Sequence, residues 1–376
     1  MKAVIAIDSF KGSLTSSEAG EAVKEGFLRA FPDGSADVCS IADGGEGTAG
    51  VLSRALGCKE REISVSDPLG NKIKASYGID LRRPLAVMEM SSAAGLTLIS
   101  EEDRDPMKTT TYGVGEMIAD AVHLGCREII MGIGGSATND GGVGMLSALG
   151  FRFLDENGNE IPFGCSGLSQ LARIETDGVL SGITGCKFRV ACDVTNPLCG
   201  ENGCSAVFAP QKGAKDEDIP KMDKWLREFA ELTKKVIPHS DENAPGTGAA
   251  GGLGFALASY LGAELEGGIE LILAATGFDA AARNADIVVT GEGRIDSQTF
   301  MGKAPAGVAR ITKGYGKPVI AFCGILGDGA EESAKAGIER CIEVDRGELT
   351  VAEAMERDTA YRNLAATAEK VFNEMK

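Results

Sequence analysis

Residues Met131–Leu146 read MGIGGSATNDGGVGML, a glycine-rich run with Ser136, Thr138, Asn139 and Asp140 set into it. It follows an apolar stretch, Glu128–Met131, that reads as a buried strand, and precedes Val143–Leu149, which reads as a helix. A strand, a glycine loop and a helix N-terminus together make an anion site. Glycine lets backbone N–H groups turn toward a ligand and approach it, and the helix end adds partial positive charge. The same loop fits two other readings. Gly132, Gly134 and Ala137 have the G-x-G-x-x-A spacing of a dinucleotide site, with Asp155 roughly twenty residues on. It also fits a tight strand–helix turn with no ligand.

Further polar clusters fall where strands end. Asp8-Ser9-Phe10-Lys11-Gly12-Ser13 follows the first strand, and Asp43-Gly44-Gly45-Glu46-Gly47-Thr48 follows the second. Gly291-Glu292-Gly293-Arg294-Ile295-Asp296-Ser297 and Cys323-Gly324 follow two late strands. Asp193-Val194-Thr195-Asn196-Pro197 closes the strand Lys187–Cys192, and Gly246–Gly254 enters the apolar helix Phe255–Leu261. In open α/β sheets, ligands bind at the carboxyl ends of strands. Carboxylates, lysines, hydroxyls and many N–H donors gathered there suit phosphoryl transfer, which needs charge neutralisation and alignment more than a covalent nucleophile. The chain lacks a Walker A sequence: Gly302-Lys303 is followed by Ala304, and Ser297 stands where the first glycine would be. HRD and DFG kinase motifs are absent.

The bulk composition narrows the field. A net charge of −17 over 376 residues disfavours nucleic-acid and anionic-membrane binding. No apolar run has the length of a membrane span. Lys2–Ile7 is apolar, but Asp8 ends it, so it reads as a strand and not a signal peptide. The ten cysteines are scattered without a CxxC pair, and Cys39, Cys192 and Cys323 sit in strand-like runs. They read as reduced residues of a cytoplasmic protein. With only His123 and His239, a histidine triad or histidine-rich metal site has little support, and His123 reads as structural.

Strand-like and helical runs alternate, which predicts an α/β fold with largely parallel sheet. Lys2–Ile7 is followed by a helix over Thr15–Phe31, opened by a Thr15/Glu18 capping box. Asp37–Ile41 and a helix over Gly47–Leu56 come next. Glu62–Ser66, Lys72–Ile79 and Leu85–Met90 are three strands in succession, an antiparallel element that opens a new domain. The strand–helix rhythm resumes with Asp286–Val289, Ala304–Thr312, Pro318–Phe322, Ala330–Ala336 and Cys341–Val344, then one long helix over Val351–Phe372. The expectation is a Rossmann-like α/β domain from both termini, residues 1–66 and 286–376, with a larger α/β domain, 67–285, inserted into it. The active site is expected in the cleft between them.

With these residues in view, the chain resembles the class I glycerate kinases. The resemblance rests on DSFKGSL at Asp8–Leu14, ADGGEGT at Ala42–Thr48, GIGGSATNDGG at Gly132–Gly142 and CDVTNPL at Cys192–Leu198. It rests equally on GTGAAGGLG at Gly246–Gly254 and VTGEGRIDSQT…GKAP across Val289–Pro305. These span nearly the whole chain, in order. The resemblance implies phosphorylation of D-glycerate by ATP with Mg2+, giving 2-phosphoglycerate, on two α/β domains.

On that basis the residues take expected roles. Lys11 and backbone N–H groups near Ser9 and Ser13 help hold anionic groups of the substrate, and Asp8 is a further substrate-binding residue. Arg294 grips the glycerate carboxylate bidentately, with Ser297 beside it. Asp193 is the first candidate for orienting the attacking hydroxyl and taking its proton, and Asp296 the second. Asp43, Glu46 and Glu292 are unranked metal candidates, since magnesium takes oxygen ligands. Gly134, Gly135, Ser136, Ala137 and Thr138 form one candidate phosphate cradle, and Gly248, Gly251 and Gly252 another. Lys303 neutralises charge on the transferred group. Phosphorylation at the 3-hydroxyl, a NAD-dependent dehydrogenase and a non-enzymatic metabolite-binding protein are the alternatives. Nothing in the sequence bears on oligomeric state.

Overall fold

The run Ala3–Ile7 is at most 1% exposed at every position, as a strand covered on both faces must be. In the computed structural model, which describes residues 1–41 and 48–376, it is an interior strand of a parallel sheet. In chain order the strands are β1 (Lys2–Ile7), β2 (Ser35–Val38), β3 (Lys59–Ser66), β4 (Lys72–Asp80), β5 (Leu85–Glu89), β6 (Glu128–Gly132) and β7 (Arg152–Leu154). They continue with β8 (Arg173–Glu175), β9 (Lys187–Ala191), β10 (Glu264–Glu266), β11 (Ile287–Ile295), β12 (Val319–Leu326) and β13 (Arg340–Glu343). Contacts divide the chain into two units, Met1–Gly44 with Ile269–Lys376, and Gly45–Gly268.

The terminal unit carries the sheet β13-β12-β11-β1-β2, parallel throughout. Numbered within the unit, that order is 2-1-3-4-5, a doubly wound sheet whose connections diverge between β1 and β11. Helix Ser16–Ala30 opens with the expected capping box, Thr15 accepting from the Glu18 N–H and Glu18 from the Thr15 N–H. It packs on helix Arg357–Asn373, with Phe27 and Phe372 edge to face at 5.1 Å. Their shared core includes Ile5, Ile7, Val289 and Phe322 from the sheet.

The second unit has a six-stranded mixed sheet, β10-β9-β6-β5-β4-β3. β3, β4 and β5 form an antiparallel meander, and β5, β6, β9 and β10 run parallel. A ribbon of β7 and β8 lies apart from this sheet.

Several boundaries differ from the sequence expectation. The first unit boundary falls before β3, not after it, because β3 hydrogen-bonds along its whole length to β4. The return falls at Ile269, not at 286, because helices Gly268–Ala275 and Phe278–Arg283 pack under the terminal sheet. There Ile269 meets Gly307, and Asp279 and Arg283 bond Tyr315. β11 runs on to Ile295, since Arg294 and Ile295 still pair with Ile325 and Leu326. The long C-terminal helix breaks at Glu356 (φ −56°, ψ 127°) into Val351–Met355 and Arg357–Asn373. His123 is exposed in the last turn of helix Tyr112–His123.

Gly26 fixes the approach of the two long helices, since a Cβ there would lie 2.4 Å from the Ala365 carbonyl oxygen and 2.7 Å from the Ala368 Cβ. Gly26→Val is expected to destabilise the terminal unit by about 1–3 kcal/mol through overpacking. Gly50, in helix Thr48–Ala55, has only the Arg54 guanidinium within reach among the described residues, at 4.0 Å. Gly50→Ala is expected to raise stability by about 0.5–1 kcal/mol. Calorimetric melting of the two variants checks both, and equal melting temperatures would refute the packing role of Gly26.

Candidate functional site

Parallel pairing of β1 with β11 brings Ile7 opposite Gly291, and the Asp8 N–H donates to the Gly291 carbonyl at 2.9 Å. Asp8, the first residue past β1, and Glu292, still within β11, therefore lie side by side at the carboxyl edge, where the strand connections diverge. Both are mostly buried, 5% and 8% exposed. Together with Ser9, Lys11, Ser13, Arg294, Asp296 and Lys303 they line one cavity of about 430 Å³. Phe10, Val351, Met355 and Leu364 supply part of its apolar wall. This size and mixture are those of a small-molecule site.

Local chemistry sets each side chain. Asp8 Oδ1 accepts from the Ser9 N–H at 2.6 Å. The Phe10 N–H donates to Leu14, and the Ser13 and Leu14 N–H groups donate back to Phe10, so residues 10–14 close into a tight turn. This turn crosses β11 at Gly293, where a Cβ would lie in van der Waals contact with Lys11 N and Phe10 Cα at 3.4 Å. Ser16 Oγ donates to the Ile7 carbonyl and accepts from the Ile41 N–H, tying the ends of the first strand and the segment after the second. Glu292 Oε1 accepts from Thr299 Oγ1 at 2.5 Å, and Thr299 Oγ1 accepts from the Asp296 N–H. Arg294 Nε donates to Asp296 Oδ2 at 3.2 Å. Ser13 Oγ is buried and makes no hydrogen bond among the described residues. Such an atom inside a polar cavity marks a place for a ligand partner.

The second unit builds the glycine loop after β6 on a buried polar base. Asp140, 1% exposed, accepts from the Thr111 N–H and Oγ1 and from the Gly142 and Gly144 N–H groups. Burial pushes its carboxyl up, and these donors oppose the shift. Asn139 Nδ2 donates to Ser205 Oγ. Asn139 and Asp140 thus shape the loop from within. Gly134 and Gly135 are exposed at its outer side, while Ser136, Ala137 and Thr138 are buried.

The structure reassigns several expected site residues. Gly248, Gly251 and Gly252 are buried and form no open cradle. A Cβ on Gly251 would lie 2.1 Å from the Thr138 carbonyl oxygen, and the Gly251 carbonyl accepts from the Gly141 N–H. Ala250, Gly251 and Gly252 all have positive φ, so this run is a bent support packed against the other glycine loop. Ser297 lies outside the cavity lining; it is exposed, and its N–H donates to the Asp328 carbonyl. Asp193 is exposed at the end of β9, where Oδ1 accepts from the Gly268 N–H. Asp43 and Glu46 lie outside the described residues. Among the described residues no group of three or more His, Cys, Asp or Glu is placed to hold a metal ion. Asp155 accepts from the Asn157 and Asn159 N–H groups in a turn after β7, in the separate ribbon, so it does not take the ribose role of a dinucleotide fold.

Sequence reasoning missed two residues. Glu89 ends β5, and its Oε1 accepts from the Ala49 N–H in the first turn of helix Thr48–Ala55. The strand-end rule that picked out Asp8 could have found it. Lys212 is 2% exposed, with Nζ donating to Ser136 Oγ and the Thr138 carbonyl, each at 2.7 Å. Burial lowers its pKa to about 8, against smaller opposing effects of Cys204 and Asp140. Its neighbours Pro210, Gln211 and Gly213 look like an exposed turn, so no local pattern pointed to it.

A glycerate kinase family model matches residues 3–376, and the chain belongs to that family. It is 46% identical to the glycerate 2-kinase of Escherichia coli K12 over 98% of both chains. It is 43% identical to the glycerate kinase of Bacillus subtilis 168, over 97% of this chain and 96% of that one. A solved chain from Salmonella typhimurium LT2, described as a candidate glycerate kinase 2, superposes with a TM-score of 0.89. That chain is 43% identical, and the match covers 100% of this chain and 98% of that one. The protein is an enzyme, a kinase, and no helix among the described residues is long and apolar enough to cross a membrane.

Thr299 links two acidic residues of the cavity. Thr299→Val removes a hydrogen bond to a carboxylate, worth about 1.5–3 kcal/mol, so kcat/KM should fall roughly 10–100-fold. Thr299→Ser should restore it. A Val variant with unchanged kcat/KM would show that Glu292 needs no such support.

Proposed function

We propose that this chain transfers the γ-phosphoryl group of ATP to the 2-hydroxyl of D-glycerate, giving 2-phosphoglycerate and ADP. The observation that carries this reading is the cavity at the β1/β11 edge. There, buried carboxylates, Lys11, Lys303 and Arg294 converge in a member of the glycerate kinase family. The printed name of the Escherichia coli relative favours the 2-hydroxyl.

Glycerate offers one carboxylate and two hydroxyls. Arg294 presents a planar fork suited to the carboxylate, and its bond to Asp296 holds the guanidinium in place. Asp296 then orients Arg294, which leaves Asp193 as the first candidate for general base. Lys11 and the Ser13 hydroxyl supply further donors to the acid, and Lys303 offsets charge on the transferred group. Glu292, beside Asp8, offers hard carboxylate oxygens of the kind Mg2+ takes, with phosphate oxygens and water completing its shell. When bound, the ion would neutralise phosphate charge. The exposed backbone at Gly134 and Gly135 faces outward as a phosphate-binding loop would. Ten free thiols suit a reducing compartment, which supports reading the reaction as cytoplasmic.

Two measurements test this reading. Proton-coupled phosphorus NMR of the product from ATP and D-glycerate should show a doublet, because the phosphate at C2 faces a single carbinol proton. A triplet from a CH2 group would assign the 3-hydroxyl instead. Asp193→Asn should lower kcat by about 10²–10⁴-fold with the melting temperature unchanged. Near-normal kcat would remove Asp193 from the role, and the same loss in Asp296→Asn alone would transfer it there.

A further inference from the structure

Lysine is almost never fully buried without a paired charge, yet Lys212 is 2% exposed and takes part in no ion pair with a carboxylate among the described residues. Its two partners, Ser136 Oγ and the Thr138 carbonyl, are neutral acceptors in the glycine loop after β6. The charged and titratable groups around it are few. Asp140 lies within the same loop, and Cys204 sits on the helix Cys204–Phe208. Asp140 already accepts five hydrogen bonds from other donors, and the Cys204 thiol is pushed up to about 11 by burial. A positive charge is therefore held directly beneath a loop whose outer residues, Gly134 and Gly135, face solvent.

The hydrogen-bond direction adds a second constraint. An ammonium only donates, so Ser136 Oγ must accept, and its own O–H is left to donate elsewhere. Thr138 Oγ1 and Asn139 Oδ1, in the same loop, are buried and make no hydrogen bond among the described residues. The loop interior is polar beyond what the folded chain satisfies.

We infer that Lys212 is a positioning residue for a phosphate group at the Gly134–Ser136 loop, supplying charge from below and fixing the Ser136 hydroxyl as a donor. The inference rests on reading that loop as the nucleotide phosphate site. Its consequence is a proton linkage. In the free protein burial brings the Lys212 pKa down to about 8. A bound phosphate favours the ammonium and raises that pKa. Above the free value the amine is largely neutral, so binding takes up a proton and affinity falls as pH rises. Neutral Lys212 can also accept from Ser136, which turns the hydroxyl proton away from the ligand. Phosphate groups finish titrating below this range, with a second pKa of about 6.

The test is calorimetric titration of the full chain with a non-hydrolysable ATP analogue at about pH 9, in two buffers of different ionisation enthalpy. The expected result is proton uptake and an affinity that drops up to about tenfold per pH unit above the free pKa. Lys212→Arg, which stays charged, should bind without uptake and with a flat pH profile. Binding without uptake in the unmodified chain overturns the inference, as does uptake that persists in Lys212→Arg. The unmodified chain alone decides the first point if the variant fails to fold. Gly134→Val tests the underlying reading separately, since a Cβ at Gly134 meets no atom of the described residues within 4 Å and the added side chain stands where an incoming ligand would. Unchanged analogue affinity in that variant sinks the loop assignment and Lys212 with it. Lost affinity there, together with no proton uptake in the unmodified chain, sinks the Lys212 role alone.

Discussion

The parallel pairing of β1 with β11 is the constraint on which the rest of the terminal unit depends. Connections leave these two strands in opposite directions, which opens a crevice at their carboxyl ends. Register then does the placing. With Ile7 opposite Gly291, the next residues along the two strands are Asp8, just past β1, and Glu292, within β11. Everything else at that edge follows from this pair: the turn over Gly293, the Thr299 hydroxyl on Glu292, and the Arg294–Asp296 contact. A slip of one residue would turn each strand's side chains to opposite faces and disperse the cluster.

The second unit solves a different problem, that of holding a glycine loop in one conformation. Glycine loops lose much entropy on ordering. Here the loop is fixed from inside by polar groups rather than by its own backbone. Asp140 gathers donors from the start of two helices, the Gly251 carbonyl receives the Gly141 N–H, and Lys212 holds Ser136 and Thr138. Each buried polar partner raises the cost of any other arrangement, because breaking one leaves an unsatisfied group. The polar residues that look chemically active in the sequence of this loop are therefore mostly its frame. The exposed backbone of Gly134 and Gly135 is what a ligand could meet.

Much of this was legible in the amino-acid order. Alternating apolar runs foretold the α/β layers, three helix-free strands foretold the β3–β5 meander, and Thr15 with Glu18 foretold the first helix start. Strand-end position identified Asp8, Lys11, Glu292, Arg294 and Lys303, which the cavity brings together. What failed had a common cause. The unit boundaries depend on which neighbour β3 pairs with and which sheet the helix after Gly268 covers, and both are long-range choices. The run Gly248–Gly252 has the composition of a ligand loop, but its glycines serve backbone-to-backbone packing against Thr138 and Gly141. Lys212 was hidden because burial of a lysine is decided by what folds over it and not by its own neighbours.

The most direct test of the account is a double-mutant cycle on the two carboxylates at the β1/β11 edge. kcat/KM for D-glycerate would be measured for Asp8→Asn, Glu292→Gln and the pair. Groups that act in one site should couple by about 0.5–3 kcal/mol, so the double variant loses clearly more or less than the two single losses combined. Strict additivity within about 0.3–0.5 kcal/mol would mean that the two residues act independently, and the shared site at the strand ends would be contradicted.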